Sequence, residues 1–338
     1  MDKLYLKSGY LNFDRVEKLA DSNRINFIVI IGKRQVGKTY GTLDLMLRRG
    51  YYFILLRRTA DEMKFITVGI NSPFEKISKE IKIESESKYT AKIINGEERT
   101  GSVMALSTIS KIRGFDGSKY TDIVFDEAIP ETHVIKIRNE ADAFLNAYTT
   151  IAGNRELEGK KPLRAWILAN SNDLSAPILS ALDIGGVVER MSLSGQEIAI
   201  LADRGIMIIL PDSEKVTEKR KQTALYRAVG TDSDFAKMSL KNEFSYNDVS
   251  DVKRVDLKQY NPIIRVVDRF SIWEHKSNQT VHVTEATRFP LPYRYNDDED
   301  GRRRFRNDFP DTRALYISGG VTFQNVAVKN LFIDFIYK

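Results

Sequence analysis

Short apolar runs alternate with segments whose apolar residues recur every three or four positions, the rhythm of strands alternating with helices. Ile25-Asn26-Phe27-Ile28-Val29-Ile30-Ile31 predicts a strand buried on both faces, and Lys38 to Arg49 a helix that Gly50 stops. Tyr51 to Leu56 predicts a second buried strand. From about Ala60 to Lys82 the pattern is helical, with a break near Asn71-Ser72-Pro73, because Pro73 lacks the N–H that a continuous helix uses. Ile81 to Ile109 shows period-two stretches on either side of Asn95-Gly96, a hairpin-turn pair, and predicts an antiparallel insertion. Asp122-Ile123-Val124-Phe125, Leu163 to Leu168 and Ile206 to Leu210 return to buried strands, with an amphipathic helix from Arg138 to Ala152. Such alternation predicts an α/β fold with a mostly parallel sheet.

From Asp212 to about Val252 the chain turns polar and helix-favouring, which predicts a connecting helical subdomain or linker. Pro262 to Glu285 predicts two strands joined around Lys276-Ser277-Asn278, and Ala314 to Tyr337 a strand followed by a mixed segment. The expected organisation is a domain at 1–211, a helical linker at 212–250 and a small domain at 251–338. No internal repeat or low-complexity tract interrupts it.

Composition narrows the classes. With 338 residues, 42% hydrophobic and 29% charged, the chain is long enough and apolar enough to bury a core. It has no cysteine, which excludes disulfides, thiolate metal sites and a cysteine nucleophile, and fits a reducing cytoplasm. Its apolar runs fall far short of the roughly 20 residues of a membrane span, and its first residues open no signal peptide, so a soluble protein with no membrane partner is expected. The net charge of +6 permits a polyanionic partner, and residues 251–338 carry about half of it.

Gly32-Lys33-Arg34-Gln35-Val36-Gly37-Lys38-Thr39 fits G-x-x-x-x-G-K-[ST] in full and sits between a buried strand and a helix. Glycines let the backbone N–H groups face a polyphosphate, Lys38 neutralises the β and γ phosphates, and Thr39 offers its hydroxyl to Mg²⁺. A second element follows in Ile123-Val124-Phe125-Asp126-Glu127. Asp126 would hold Mg²⁺ through water, and Glu127 would orient and polarise the attacking water. Nucleotide kinases and GTPases usually lack that adjacent carboxylate, so the pair points to ATP hydrolysis coupled to motion.

These residues, with Asn154-Arg155-Glu156, Leu168-Ala169-Asn170 and Lys237-Met238-Ser239-Leu240-Lys241-Asn242-Glu243-Phe244, resemble the DNA-packaging motor ATPases, or encapsidation proteins, of small tailed phages with protein-primed genomes. Those are distant relatives of terminase large subunits. The resemblance covers about residues 20–250 and implies a P-loop ATPase domain of the ASCE (RecA/terminase-like) type with a mostly parallel sheet, a helical linker and a smaller α+β, RNase H-like C-terminal domain. It also implies ATP and Mg²⁺ as cofactors, double-stranded DNA as substrate, and a ring of identical chains, a homopentamer, on a phage portal. The motor would work in the host cytoplasm, attached transiently to the procapsid; whether a structural RNA takes part stays open. Lys38, Thr39, Asp126 and Glu127 match the family's Walker positions. Gly32 to Thr39 with Tyr40 would cradle the nucleotide, Arg34 could reach a phosphate or the neighbouring subunit, and Asn170 matches a sensor position. Arg155 is the leading arginine finger, contributed across a subunit interface, although relatives carry two Arg around Asn154 where this sequence has Gly153 before it. Arg113 is the alternative.

Two rival functions remain at this stage: a packaging enzyme with a live C-terminal nuclease, and a nucleotide-dependent scaffold that binds nucleic acid. A nuclease needs three or four converging carboxylates; Asp268, Glu285 and Asp334 are candidates without diagnostic spacing. Arg302-Arg303-Arg304-Phe305-Arg306 suits a nucleic-acid backbone, or else pairs with Asp297-Asp298-Glu299-Asp300 just before it. Lys136 and Arg138 are candidates for a DNA grip. His133, His275 and His282 show no metal spacing, and Trp166 and Trp273 read as core.

Overall fold

A computed structural model describes residues 3–33, 36–67, 72–111, 115–129, 137, 140–170, 176–230 and 251–337. Two compact units emerge, one formed by Met1–Leu182 with Met191–Ser245 and the other by Asp183–Arg190 with Tyr246–Lys338.

In chain order the first unit carries α1 (Phe13–Ser22), β1 (Phe27–Ile31), α2 (Lys38–Arg49), β2 (Phe53–Arg57), α3 (Ala60–Thr67), β3 (Ile81–Ser85), β4 (Thr90–Asn95), β5 (Glu98–Ala105), β6 (Asp122–Phe125), α4 (Glu140–Ala152), β7 (Arg164–Ala169) and α5 (Pro177–Ala181). Helix α6 (Gly185–Ser194) has its first residues in the second unit, and β8 (Ile198–Leu201), β9 (Ile206–Ile209), α7 (Glu214–Lys221) and α8 (Ala224–Val229) complete the first.

Nine strands form one sheet in the order β3-β4-β5-β2-β6-β7-β1-β9-β8. From β5 to β9 every pairing is parallel, while the β3–β4 and β4–β5 pairings on one flank and the β8–β9 pairing on the other are antiparallel. The parallel strands are buried on both faces, which is why they read as unbroken apolar runs. Ile28, Ile30, Phe53, Leu55, Val124, Trp166 and Leu168 meet residues of α1 and α2 such as Val16, Leu43 and Met46 on one face. On the other, Phe125 stacks on Phe144 of α4 at 5.1 Å. The Trp166 indole N–H donates to the buried Asp122 carboxylate at 2.9 Å, and burial holds the Asp122 carboxyl above the usual range.

Parallel alignment has one functional consequence. Ile31 pairs with Ala169, Phe125 with Ile167 and Leu56 with Phe125, so the segments leaving β1, β7, β6 and β2 emerge at one edge of the sheet.

The second unit holds β10 (Tyr260–Val266), β11 (Phe270–His275), β12 (Val281–Glu285), β13 (Tyr293–Tyr295), α9 (Glu299–Asp308), α10 (Thr312–Ile317), β14 (Val321–Phe323) and α11 (Val326–Tyr337). Its sheet runs β13-β10-β11-β12-β14, with β10, β11 and β12 antiparallel and each edge strand parallel to its neighbour. Phe270, Phe305, Phe323, Phe332 and Phe335 form the centre of its core.

Several elements differ from the sequence reading. Helix α3 ends at Thr67, and Ile81 already starts a strand. Residues 260–285 form three strands because Val267 to Arg269 make an additional turn, with Asp268 at φ +56. Residues 312–337 are mostly helical: Val328, Phe332, Phe335 and Ile336 are buried at helical spacing although Phe and Ile favour strands. Helices α7 and α8 cluster with the first unit, and residues 183–190 with the second, so the unit boundary differs from a cut at 211.

Candidate active site

The loop after β1 turns into α2 through Gly37, whose φ of +84 is open to glycine and whose Cβ position would lie 3.1 Å from the Tyr10 ring. Val36 is buried and Tyr40 is half exposed just inside the helix. Lys38 Nζ is caged by three oxygens: Gly32 O at 2.9 Å, Lys33 O at 2.7 Å and Asn170 Oδ1 at 3.1 Å. The Gly32 N–H donates to Ala169 O at 3.1 Å and ties the loop to the end of β7. The ammonium is therefore buried in acceptors that a polyphosphate can replace.

Thr39 Oγ1 donates to Asp126 Oδ1 at 2.9 Å, so the hydroxyl and carboxylate of the two motifs are already in contact. Glu127, the next residue, has φ +57, a strained conformation for a non-glycine residue that concentrates at functional sites. Its side chain is 53% exposed at the edge of the sheet.

Arg57, at the end of β2, joins both carboxylates. Its Nη1 donates to Asp126 Oδ2 and its Nη2 to Glu127 Oε2, each at 2.7 Å, while its Nε lies 3.7 Å from Glu62. The sequence reading missed this residue. An arginine after Phe53-Ile54-Leu55-Leu56 looks like a solvated strand end, and only the pairing of β2 with β6 brings it to Asp126. A cleft of about 620 Å³, lined by Thr39, Tyr40, Arg57, Glu62, Phe65 and Asp126 among others, opens beside these groups. A caged ammonium, a hydroxyl–carboxylate pair and an exposed carboxylate at one sheet edge suit a metal-bound polyphosphate and a water nucleophile.

A family model of the podovirus DNA encapsidation protein (Gp16) matches residues 6–291. The chain belongs to the podovirus DNA encapsidation protein family. Among solved structures it is similar to the bacteriophage Phi-29 viral genome packaging motor assembly, with 17% identity, a TM-score of 0.63 and 98% of each chain covered. It is likewise similar to the Phi-28 gp11 DNA packaging motor, with 14% identity and a TM-score of 0.60, over 98% of this chain and 99% of that one. These likenesses concern the fold, and they extend over both units. A search of curated proteins by sequence returns no match.

Within this encapsidation protein the remaining expected site residues divide. Arg34, Gln35, Arg113, Lys136, Arg138, His133 and the segment from Lys237 to Phe244 lie outside the described residues. Lys33 lends its carbonyl to Lys38, but its side chain points to the opposite flank of the loop, toward Asp212 and Thr217. Arg155 is not brought to the site in its own chain. Its guanidinium donates to the carbonyls of Ala152 (3.1 Å), Gly117 (3.1 Å) and Ile151 (3.4 Å), closing the C-terminus of α4. It precedes β7, whereas Asn170 follows it, and a six-residue strand separates the two ends by roughly 20 Å.

In the second unit, the described residues hold no group of three or more His, Asp or Glu side chains placed to bind a metal; Asp268, Glu285 and Asp334 do not form one. The arginine run is largely self-paired: Arg302 binds Asp297, and Arg303 and Arg304 bind Asp300. His282 is buried against Thr322 Oγ1 at 2.8 Å, and Trp273 donates to Thr284 Oγ1 at 2.9 Å. Among the described residues no helix is long and apolar enough to cross a membrane.

Proposed function

We propose that this encapsidation protein is an ATP-hydrolysing motor that moves double-stranded DNA into a procapsid. The observation that carries the reading is the assembly of Lys38, Thr39, Asp126 and Glu127 at one edge of a sheet in which β7 separates the loop strand from the Asp126 strand. That strand order is the one expected of an ASCE-type P-loop ATPase, and Asn170 at the end of the intervening strand already touches Lys38.

In this reading ATP is the substrate, and Thr39 and Asp126 are the residues that would hold Mg²⁺. The ion, when bound, neutralises phosphate charge. Lys38 exchanges oxygen acceptors such as Gly32 O, Lys33 O and Asn170 Oδ1 for the β and γ phosphates. Glu127 accepts a proton from a water that attacks the γ phosphorus; the bond from that phosphorus to the β,γ-bridging oxygen breaks, giving ADP and phosphate. Arg57, which binds one oxygen of Asp126 and one of Glu127, would position the two carboxylates for this step. Arg155 would act on the site of an adjacent copy, which fits a ring such as a homopentamer bound to a portal, in the host cytoplasm.

An RNase H-like reading of the second unit is supported by its three-stranded antiparallel meander with a parallel neighbour on β10; among the described residues no three His, Asp or Glu side chains are grouped to hold a metal. The site is tested by Lys38→Ala: the variant is expected to lose ATP binding by at least about tenfold, the loss of one charge-assisted phosphate contact. Unchanged affinity, read by titration of a fluorescent ATP analogue, removes the ATP assignment.

A further inference from the structure

Lys33 belongs to the phosphate-binding loop, but its side chain leaves toward β9, the side of β1 opposite Asn170 and Asp126. The Lys33 side chain is only 3% exposed; its ammonium pairs with Asp212 and donates to Thr217 Oγ1 at 3.1 Å. Asp212 immediately precedes Ser213, the residue whose side chain caps α7 by accepting the Val216 N–H. The Asp212 N–H is itself fixed, donating to Tyr5 Oη at 2.8 Å and Glu197 Oε1 at 3.0 Å. Lys215 Nζ donates to Lys7 O, so the N-terminal segment also holds the first turn of α7.

On its other side Lys33 offers its carbonyl to Lys38 Nζ at 2.7 Å. A single residue thus touches the phosphate-seeking ammonium through its main chain and the start of α7 through its side chain. Solvation would be a cheaper state for a long, flexible ammonium; a buried Lys33 held by Asp212, whose main chain is tied to Tyr5 and Glu197, transmits displacement in a way that a solvated side chain cannot.

We propose that Lys33 is a positioning residue that couples occupancy of the loop to α7, through Asp212 and Thr217. When Lys38 leaves the Lys33 carbonyl for a polyphosphate, the loop rearranges, and the Lys33–Asp212 pair carries that change into α7. The inference rests on the loop being the ATP site proposed above.

The test is amide hydrogen exchange of residues 213–229 in the full chain, with and without a non-hydrolysable ATP analogue and Mg²⁺, for the wild type, Asp212→Asn and Asp212→Glu. Analogue affinity is measured on the same preparations. In the wild type the analogue is expected to change exchange in this segment by about threefold or more. Asp212→Asn should bind the analogue within about threefold of wild type yet lose the exchange response, and Asp212→Glu should retain it. The proposal is overturned by a wild type that binds the analogue without a response, by an Asp212→Asn chain that responds normally, by an Asp212→Glu chain that does not respond, or by an affinity that collapses in Asp212→Asn, since Lys33 would then be a static support. A wild type that binds no analogue removes the ATP reading and this inference together.

Discussion

Glu127 is held in two ways that a simple strand end would not need. Its backbone is left-handed at φ +57, which costs a non-glycine residue of order 1–3 kcal/mol, and its carboxylate is bound by Arg57 at 2.7 Å. The same guanidinium satisfies the buried Asp126. Removing it leaves Asp126 in a low-dielectric site without its cation, so Arg57→Ala is expected to destabilise the first unit by about 3 kcal/mol in urea unfolding. Millimolar Mg²⁺ with an ATP analogue should restore part of that loss, because the ion replaces the missing positive charge at Asp126. Equal stability of Arg57→Ala and wild type would mean that the contact is an idle surface pair. The proposed site residues Lys38, Thr39, Asp126 and Glu127 could be picked out in the sequence because the proposed chemistry requires fixed residue types at fixed spacing. Arg57 could not, because its role depends on which strand lies beside β6.

Among the elements, β1, α2 and β6 were readable almost to the residue: a strand buried on both faces admits only apolar side chains, and Gly50 in the left-handed conformation stops α2. Helices α10 and α11 were misread because tertiary packing on the second sheet outweighs the strand preference of their aromatic and β-branched residues. Helix α1 escaped notice, although Asn12 caps it by accepting the Arg15 N–H and its Val16 and Ala20 are fully buried. The burial of His282 in β12 carries a pH prediction. Desolvation lowers its pKa from 6.5 to about 4, so the neutral form is favoured in the folded state. Its contribution is complete above pH 6.5 and is lost as pH falls toward 4, amounting to roughly 3 kcal/mol at the acid end. Thermal unfolding of the second unit should show this decline between pH 6.5 and 4, and His282→Gln should flatten it; an unchanged slope in the variant would assign the decline to other groups.

For the whole molecule, charge counting was a poor guide. Half of the +6 excess falls in residues 251–338, yet Arg302, Arg303 and Arg304 are bound by Asp297 and Asp300. An arginine paired with a carboxylate of its own helix or of the segment just before it has less to offer a phosphate backbone. The membership of 183–190 in the second unit was likewise hidden, because this short stretch joins residues far along the chain. Arg155 shows the same limit in another form: its contacts with the carbonyls of Ala152, Gly117 and Ile151 follow from the fold and not from its place in the sequence. The central claim is that hydrolysis at Lys38, Thr39, Asp126 and Glu127 is coupled to DNA. It is tested most directly by steady-state ATP turnover with and without duplex DNA, at protein concentrations that permit assembly, for the wild type beside Glu127→Gln. The account predicts turnover that DNA stimulates and that falls by about 10² to 10⁴ in Glu127→Gln, the range for loss of a general base. Wild-type turnover indifferent to DNA, or a Glu127→Gln chain that hydrolyses ATP normally, would contradict it.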